Sequence, residues 1–330
     1  MLRWSQARKV GWWSILILLA APLATLAADY PSKPVKIIIQ AAAGSGPDMI
    51  ARIVADGLTR QLGKPFLIIN QPGAGGLIAA QAAASAEPDG YTLYMPSGSA
   101  LMVLPETHAR LPFNFETEFL PIGMIGKQPM LITVSPKLGI STLPGLIALA
   151  KKRPGEILYA GNTPGTVPSL TGDMLKQRAS IDTTFVPYPG AAAALKDLMS
   201  GQISIVIESM PALAGAIQGG SVTVLAASEK RIPQFPDVAT VAETLPGFVA
   251  TGWFALLARA GTSDIVVQKI GDGLRSSLAD AGLLEKFASL STETDPMSPA
   301  ELRSFIQHER ELWLPVIRKA GRRRSDAMPT

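Results

Sequence analysis

The chain reads as an α/β protein built in two lobes. Three observations predict this. Short apolar runs alternate with amphipathic stretches through the first third of the chain. The alternation begins afresh after a pair of extended segments near residue 130. Setting the N-terminal segment aside leaves about 300 residues, which suits one large or two medium α/β units.

The elements follow in order. Val35–Ile39 is an apolar run and reads as a strand. Over residues 48–62, Ile50, Ile53, Val54, Leu58 and Leu62 recur at helical spacing, while Arg52, Asp56 and Arg60 face the other way. Residues 66–69 form a second strand, 78–85 an alanine-rich helix and 91–95 a third strand. Strand, helix, strand, helix, strand implies parallel βαβ units with right-handed crossovers.

The second set starts with extended segments at 119–125 and 130–134, joined by 126–129. Ser141 is placed to cap a helix that runs to Lys152 and stops at Pro154-Gly155. Strands are expected at 157–160, 184–186, 203–207 and 222–226, with helices at 170–178 and 191–199. Residues 252–258 are an apolar extended run that carries Trp253 and Phe254 back between the lobes. The C-terminal part is helical, and Ser298-Pro299-Ala300-Glu301 is a capping box with proline at the first helical position. No internal repeat shows in the sequence. Residues 1–27 are expected to be a signal peptide, and the periodicity of the rest supports an α/β chain in two lobes.

The N-terminus has the order of a secretory signal: Arg3, Arg8 and Lys9, then the uncharged apolar stretch 15–21, then Thr25-Leu26-Ala27 as a small-residue cleavage site. Cleavage is expected after Ala27, or else after Ala28, and the periplasm is the expected location. Arg8-Lys9 is not a twin-arginine pair, and the chain has no cysteine to carry a lipid anchor. The absence of cysteine also excludes a disulfide, a thiol nucleophile and a thiolate metal site. An exported α/β chain of this length buries enough core to do without disulfides. Losing the signal leaves 27 Lys and Arg against 26 Asp and Glu, so the basic balance of the full chain says little about partners. The cluster Arg318, Lys319, Arg322, Arg323 and Arg324 reads as a solvated tail. No nucleic-acid module is present.

Enzymatic signals are poor. The two histidines, His108 and His308, have no triad partners in any recognisable pattern. Ser45 fails as a nucleophile elbow because Ala43 and Pro47 occupy the outer glycine positions. Gly44-Ser45-Gly46 lacks the third glycine of a dinucleotide fingerprint, and Gly63-Lys64 is followed by Pro65, so no P-loop forms. No His, Asp or Glu cluster has metal-ligand spacing. Catalytic residues, metal and cofactor are therefore all expected to be none.

What remains is loop chemistry suited to an anion. Ala43, Gly44, Ser45, Gly46 and Asp48 lie between the first strand and its helix, where glycine N–H groups, a hydroxyl and a helix N-terminus coincide. The same residues would also serve as an ordinary turn with Asp48 as cap. The run Asn70-Gln71-Pro72-Gly73-Ala74-Gly75-Gly76 follows the second strand, and its glycines also suit turns and close helix–sheet packing. Ser97 ends the third strand at the carboxyl edge, where open α/β sheets bind ligands. In the second set, Gly161, Asn162, Thr163, Thr166 and Ser169 leave one strand, while Tyr188 and Ala191 leave the next. Glu208 ends a further strand and would accept a hydrogen bond or orient its loop. None of the anion loops contains Arg or Lys, so N–H and hydroxyl donors carry the expected recognition.

The ordered set of motifs resembles the periplasmic solute receptors of the tripartite tricarboxylate transporter family. It comprises the 30–34 opening Tyr-Pro-Ser-Lys-Pro, the 70–76 glycine run, Pro88-Asp89-Gly90-Tyr91-Thr92-Leu93, Val186-Pro187-Tyr188, Gly201-Gln202-Ile203, Trp253-Phe254-Ala255-Leu256-Leu257 and Gly261-Thr262. The resemblance covers about residues 30–320. It implies a type II periplasmic-binding-protein fold, a clamshell with two interlobe crossover strands and an interleaved division: 28–125 plus 253–330 as lobe 1 and 126–252 as lobe 2. It further implies a small organic carboxylate as ligand, two integral membrane transporter subunits as partners, and a monomer. By position it places the anion loops at 43–48, 161–166 and 188–192. The chain departs from the family pattern at Gln40-Ala41-Ala42 for Pro-Phe-Pro, at Gly44-Ser45-Gly46-Pro47-Asp48 for Gly-Gly-Gly-Thr-Asp, at Ser169 for a frequent histidine and at Glu208 for a usual aspartate.

Overall fold

The computed structural model describes residues 30–108 and 110–321. The predicted signal and Arg322, Arg323 and Arg324 lie outside these residues.

Two sheets share one long strand. In the first, β1 (Val35–Ile39) pairs in parallel with both β2 (Phe66–Asn70) and β3 (Thr92–Met95). Next to β3 comes β9 (Thr251–Arg259), antiparallel, and then β4 (Phe119–Val134) antiparallel to β9. In the second sheet β5 (Ile157–Ala160) pairs in parallel with β6 (Thr183–Phe185) and β7 (Ile205–Ser209). The far half of β4 lies antiparallel to β7, and β8 (Thr223–Ala227) lies antiparallel to β4.

The two orders, β2-β1-β3-β9-β4 and β6-β5-β7-β4-β8, are the same topology used twice. In each, an antiparallel crossover strand takes the fourth place: β9 in lobe 1 and β4 in lobe 2. The repeat is one of topology, which is why no sequence period reveals it. The fold is a two-lobed α/β clamshell with β4 and β9 as its crossovers.

Helices join the parallel strands. Lobe 1 has α1 (Gly46–Leu62), α2 (Leu77–Ala84) and α3 (Gly98–Thr107) after β1, β2 and β3. Lobe 2 has α6 (Val167–Ala179), α7 (Ala191–Ser200) and α8 (Met210–Gln218) after β5, β6 and β7. Between the two sets lie α4 (Phe115–Glu118) and α5 (Leu143–Lys152). The chain continues through α9 (Val241–Thr244), α10 (Asp264–Leu278), α11 (Ala281–Ser289) and α12 (Pro299–Lys319). None of the described helices is long and apolar enough to cross a membrane. One core cluster runs from Tyr94 and Leu101 through Trp253 and Trp313 to Ile132 and Leu170, so α12 packs on both lobes.

Three sequence expectations change. The segments 119–125 and 130–134 are one strand, because register shifts at Pro121/Gly123 and Met124/Gly126 absorb the irregular residues and the β9 ladder continues to Pro129. The cap of α5 is Thr142, not Ser141: Thr142 Oγ1 accepts the Gly145 N–H at 3.2 Å. Helices α3 and α8 were not expected. Gly98, Ser99 and the next five residues of α3 are all buried, so it has no polar face to generate a helical period.

Candidate ligand-binding site

Strand direction decides where the loops meet. β4 leaves sheet 1 and enters sheet 2. Strands β1, β2 and β3 run parallel to it, because two antiparallel steps through β9 restore the direction. Their carboxyl ends therefore point toward lobe 2. Strands β5, β6 and β7 run against β4, so their carboxyl ends point back toward lobe 1. Six helix N-termini converge on one cleft. Along its floor, Ser97 bridges Phe254, which faces Gly126, while Ser209 faces Met130. Four residue steps of strand separate Gly126 from Met130, roughly 13 Å, a span that suits a small molecule.

Capping separates these six helices from the rest. The N-cap residues at the cleft are Ser45, Gly76, Ser97, Thr166, Gly190 and Ser209, and none makes a side-chain cap hydrogen bond. Away from the cleft, Asn114, Thr142, Ser263, Asp280 and Ser298 each accept a first-turn N–H. The N–H of Thr240 is taken by Glu243. A helix leaves its first N–H groups unsatisfied within itself, and its dipole places partial positive charge there. Side chains close a first-turn N–H in five helices away from the cleft and in none of the six at it, although in α2 the Leu77 N–H is taken by Ala74 O. An anion is the natural occupant of such mouths.

In lobe 1, Asp48 organises the first loop. Its carboxylate accepts from Gly44 N–H at 2.8 Å, Arg52 Nε at 2.9 Å and Asn70 Nδ2 at 2.8 Å, and its side chain is almost fully buried. Burial pushes its pKa up, but the bonds from Arg52, Asn70 and Gly44 together outweigh that and hold it below the usual carboxylate value. Ser45 Oγ donates to Ala42 O at 2.7 Å, so its proton braces the turn. Ala43 and Gly44 are exposed, and Gly46 opens α1 beside Pro47, which has no N–H. Ser97 Oγ accepts from Gln40 Nε2 at 2.7 Å and lies 3.0 Å from Ser99 Oγ.

In lobe 2, Gly161 stands where a Cβ would come within 2.6 Å of the Pro168 backbone. Asn162 follows in the left-handed region at φ 58°. Thr166 Oγ1 donates to Gly161 O at 2.9 Å and to Thr163 O at 2.8 Å. Fully buried Ser169 accepts from Gly165 N–H at 3.1 Å and donates to Thr166 O at 3.0 Å. Tyr188 OH donates to Asp197 at 2.7 Å, and burial followed by that bond pushes its pKa up to about 12. Ala191 opens α7, whose first turn offers backbone N–H groups without a capping side chain. Glu208 is buried and accepts only the Ser209 N–H, at 3.1 Å; desolvation raises its pKa to about 7.

The comparisons with known proteins agree with this fold. The model of the tripartite tricarboxylate transporter family receptor matches residues 50–322. The chain belongs to that receptor family. It is similar to Protein BugT of Bordetella pertussis, 34% identical over 93% of this chain and 95% of the relative. Among solved structures, an R. palustris protein with adipate is 27% identical, covers 90% of this chain and 100% of its own, and superposes with a TM-score of 0.82. MatC from Rhodopseudomonas palustris with bound malate is 25% identical over 87% of this chain and 100% of its own, with a TM-score of 0.78.

The receptor's cleft also holds a residue that the sequence marked only as a departure from the family pattern. Gln40 follows β1, donates to Ser97, accepts from Tyr94 OH at 3.3 Å and packs under Gly76. It thereby ties the mouths of α2 and α3 together. Its position one residue past a strand's carboxyl end was the available signal. Gly98 and Ser99, which continue the Ser97 strand end, Gly190, inside the expected 188–192 loop, and Ser209, beside Glu208, complete the mouths.

Proposed function

We propose that this receptor captures a small organic carboxylate between its lobes in the periplasm and delivers it to two integral membrane subunits of a tripartite tricarboxylate-type transporter. The observation that carries the reading is the set of six helix N-termini without side-chain caps at one cleft, set against side-chain caps on five helices elsewhere. Adipate in one structural neighbour and malate in another support a carboxylate as the ligand class. In this reading residues 1–27 are an export signal, lobe 1 is 28–125 plus 253–330, lobe 2 is 126–252, and the mature receptor is a monomer. Ala43, Gly44, Ser45, Gly46, Asp48 and Ser97 form the lobe 1 wall. Gly161, Asn162, Thr163, Thr166, Ser169, Tyr188, Ala191 and Glu208 form the wall of lobe 2.

Ligand that touches both lobes favours the closed state through its differential affinity. Titration calorimetry of the mature protein with malate and with adipate, paired with small-angle scattering, tests this. Saturable binding with a fall in radius of gyration is expected. Binding without any change of shape would remove the clamshell step, and no binding by any small carboxylate would remove the ligand class.

A further inference from the structure

The cleft offers acceptors as well as donors. Among the described residues, four buried side-chain oxygens have no hydrogen-bond partner: Gln71 Oε1, Asn162 Oδ1, Glu208 Oε1 and Ser291 Oγ. Ser291 lies in a separate pocket behind the crossovers, beside Lys230 and Glu293. The other three stand at the carboxyl ends of parallel strands, where the cleft is. Gln71 follows β2, Asn162 lies two residues past β5, and Glu208 is the last residue but one of β7.

Two of them stand at the ends of paired strands. The β5–β7 ladder ends with Ala160 opposite Val206, and Asn162 and Glu208 each lie two residues beyond that pair at the same edge. Neither oxygen receives a proton from the chain. No Lys or Arg among the described residues forms an ion pair with Glu208. Asn162 is held in the left-handed region, which disfavours most side chains and which asparagine tolerates best. Burying an acceptor without a donor costs stability, and so does holding that backbone; a ligand group that answers both oxygens recovers the first cost.

We infer that the ligand carries, besides its carboxylate, a hydrogen-bond-donating group, hydroxyl or ammonium, and that Asn162 Oδ1 and Glu208 Oε1 accept from it. The inference rests on the carboxylate reading above. The helix mouths take the anionic end, and the acceptor pair in lobe 2 reads the donor. A ligand without the donor leaves two buried oxygens unmet, and a site built to pair such a group rejects the analogue that lacks it.

Calorimetry with matched acids tests it. Succinate, malate and aspartate differ only in hydrogen, hydroxyl or ammonium on carbon 2; propionate, lactate and alanine form the shorter series. In at least one series the hydroxyl or ammonium member binds about tenfold or more tightly than the parent acid. Asn162→Gly, which keeps the left-handed backbone, and Glu208→Gln each reduce that ratio to within about threefold, with thermal melts confirming folding. If ammonium is the donor, Glu208→Gln weakens aspartate or alanine far more than the hydroxy acid; if hydroxyl, the hydroxy acid is the tightest wild-type ligand. Equal affinities within each series in the wild type would mean that trapped water meets these oxygens, and would overturn the inference while leaving the carboxylate reading in place. Binding by no acid in either series overturns that reading, and this inference falls with it.

Discussion

Gly98 lies directly against the indole of Trp253, so close that a Cβ at residue 98 would fall well inside 3.0 Å of the ring. Trp253 is fully buried on the crossover strand β9, and its Nε1 donates to the buried Glu309 at 2.8 Å. Trp313 Nε1 donates to the same carboxylate oxygen at 3.2 Å. The mouth of α3 is thus seated on a crossover strand that α12 locks from behind. Gly98 does not have a positive φ, so only the ring penalises a larger residue.

Gly98→Ala therefore overpacks this contact and destabilises the protein by about 1–3 kcal/mol. Urea unfolding reads the loss. Because the N–H groups of α3 shift with it, binding of malate or adipate weakens as well. Wild-type stability and affinity together would show that the ring moves aside freely and that α3 is not fixed by β9.

Asp48→Asn tests the first loop. The substitution removes the charge that accepts from Gly44 and Asn70 and costs about 1–3 kcal/mol. The pH dependence has a definite sign. A carboxylate whose native pKa lies below its unfolded value contributes stability that is complete above the unfolded value, about 3.9, and is lost as pH falls through the native one. Denaturant titrations from pH 7 to pH 3 should show an acid loss in the wild type that is smaller in Asp48→Asn.

Glu208 gives the opposite sign. Its native pKa is raised from 4.5 to about 7 by desolvation. Its contribution is fully present below the unfolded value and is lost as pH rises through the native one. Between about pH 4.5 and 7 the wild type loses up to about 3 kcal/mol through this group. Glu208→Gln removes that loss, so the variant is the more stable protein at pH 8 and close to wild type at pH 4. Thermal melts across that range check it; parallel curves for the two proteins would refute the assignment.

Much of this was legible in the sequence, and the reasons are physical. Val35–Ile39 and the Ser298 capping box were read to the residue because a continuous apolar run and a reciprocal cap are local signals. The loops after β1, β5 and β6 were placed at strand ends because glycines and hydroxyls there need no tertiary information; that they hold an anion is the proposal. The single strand β4 was hidden because Gly126 and Pro129 look like a break until β9 is alongside. Where a hydroxyl proton goes was also hidden. Ser45 and Thr166 were expected as ligand donors, yet each donates to a loop carbonyl, a choice set by loop geometry. The topological repeat, the uncapped mouths and the placing of Asn162 and Glu208 at one sheet edge exist only once the strands are paired.

The absence of Lys and Arg from the mouths makes a further prediction. With no unpaired cation at the mouths, since Arg52 is ion-paired to Asp48, affinity for a carboxylate changes little with salt, because screening acts most strongly on exposed charge pairs. Calorimetry at low and at high sodium chloride should give nearly equal dissociation constants. A steep fall would assign binding to a cationic site, such as the outer pocket lined by His108, Arg110 and Arg310.

The central claim is that the open helix mouths hold the anion, and amide chemical shifts read those N–H groups directly. A titration of the ¹⁵N-labelled mature protein with malate, followed by ¹H–¹⁵N correlation spectra, is predicted to move Gly46, Asp48, Ser99, Ala191 and Ala192, which lie in the first turns of α1, α3 and α7. Shifts confined to the pocket around Arg110 and Arg310, with those five amides unmoved, would contradict it.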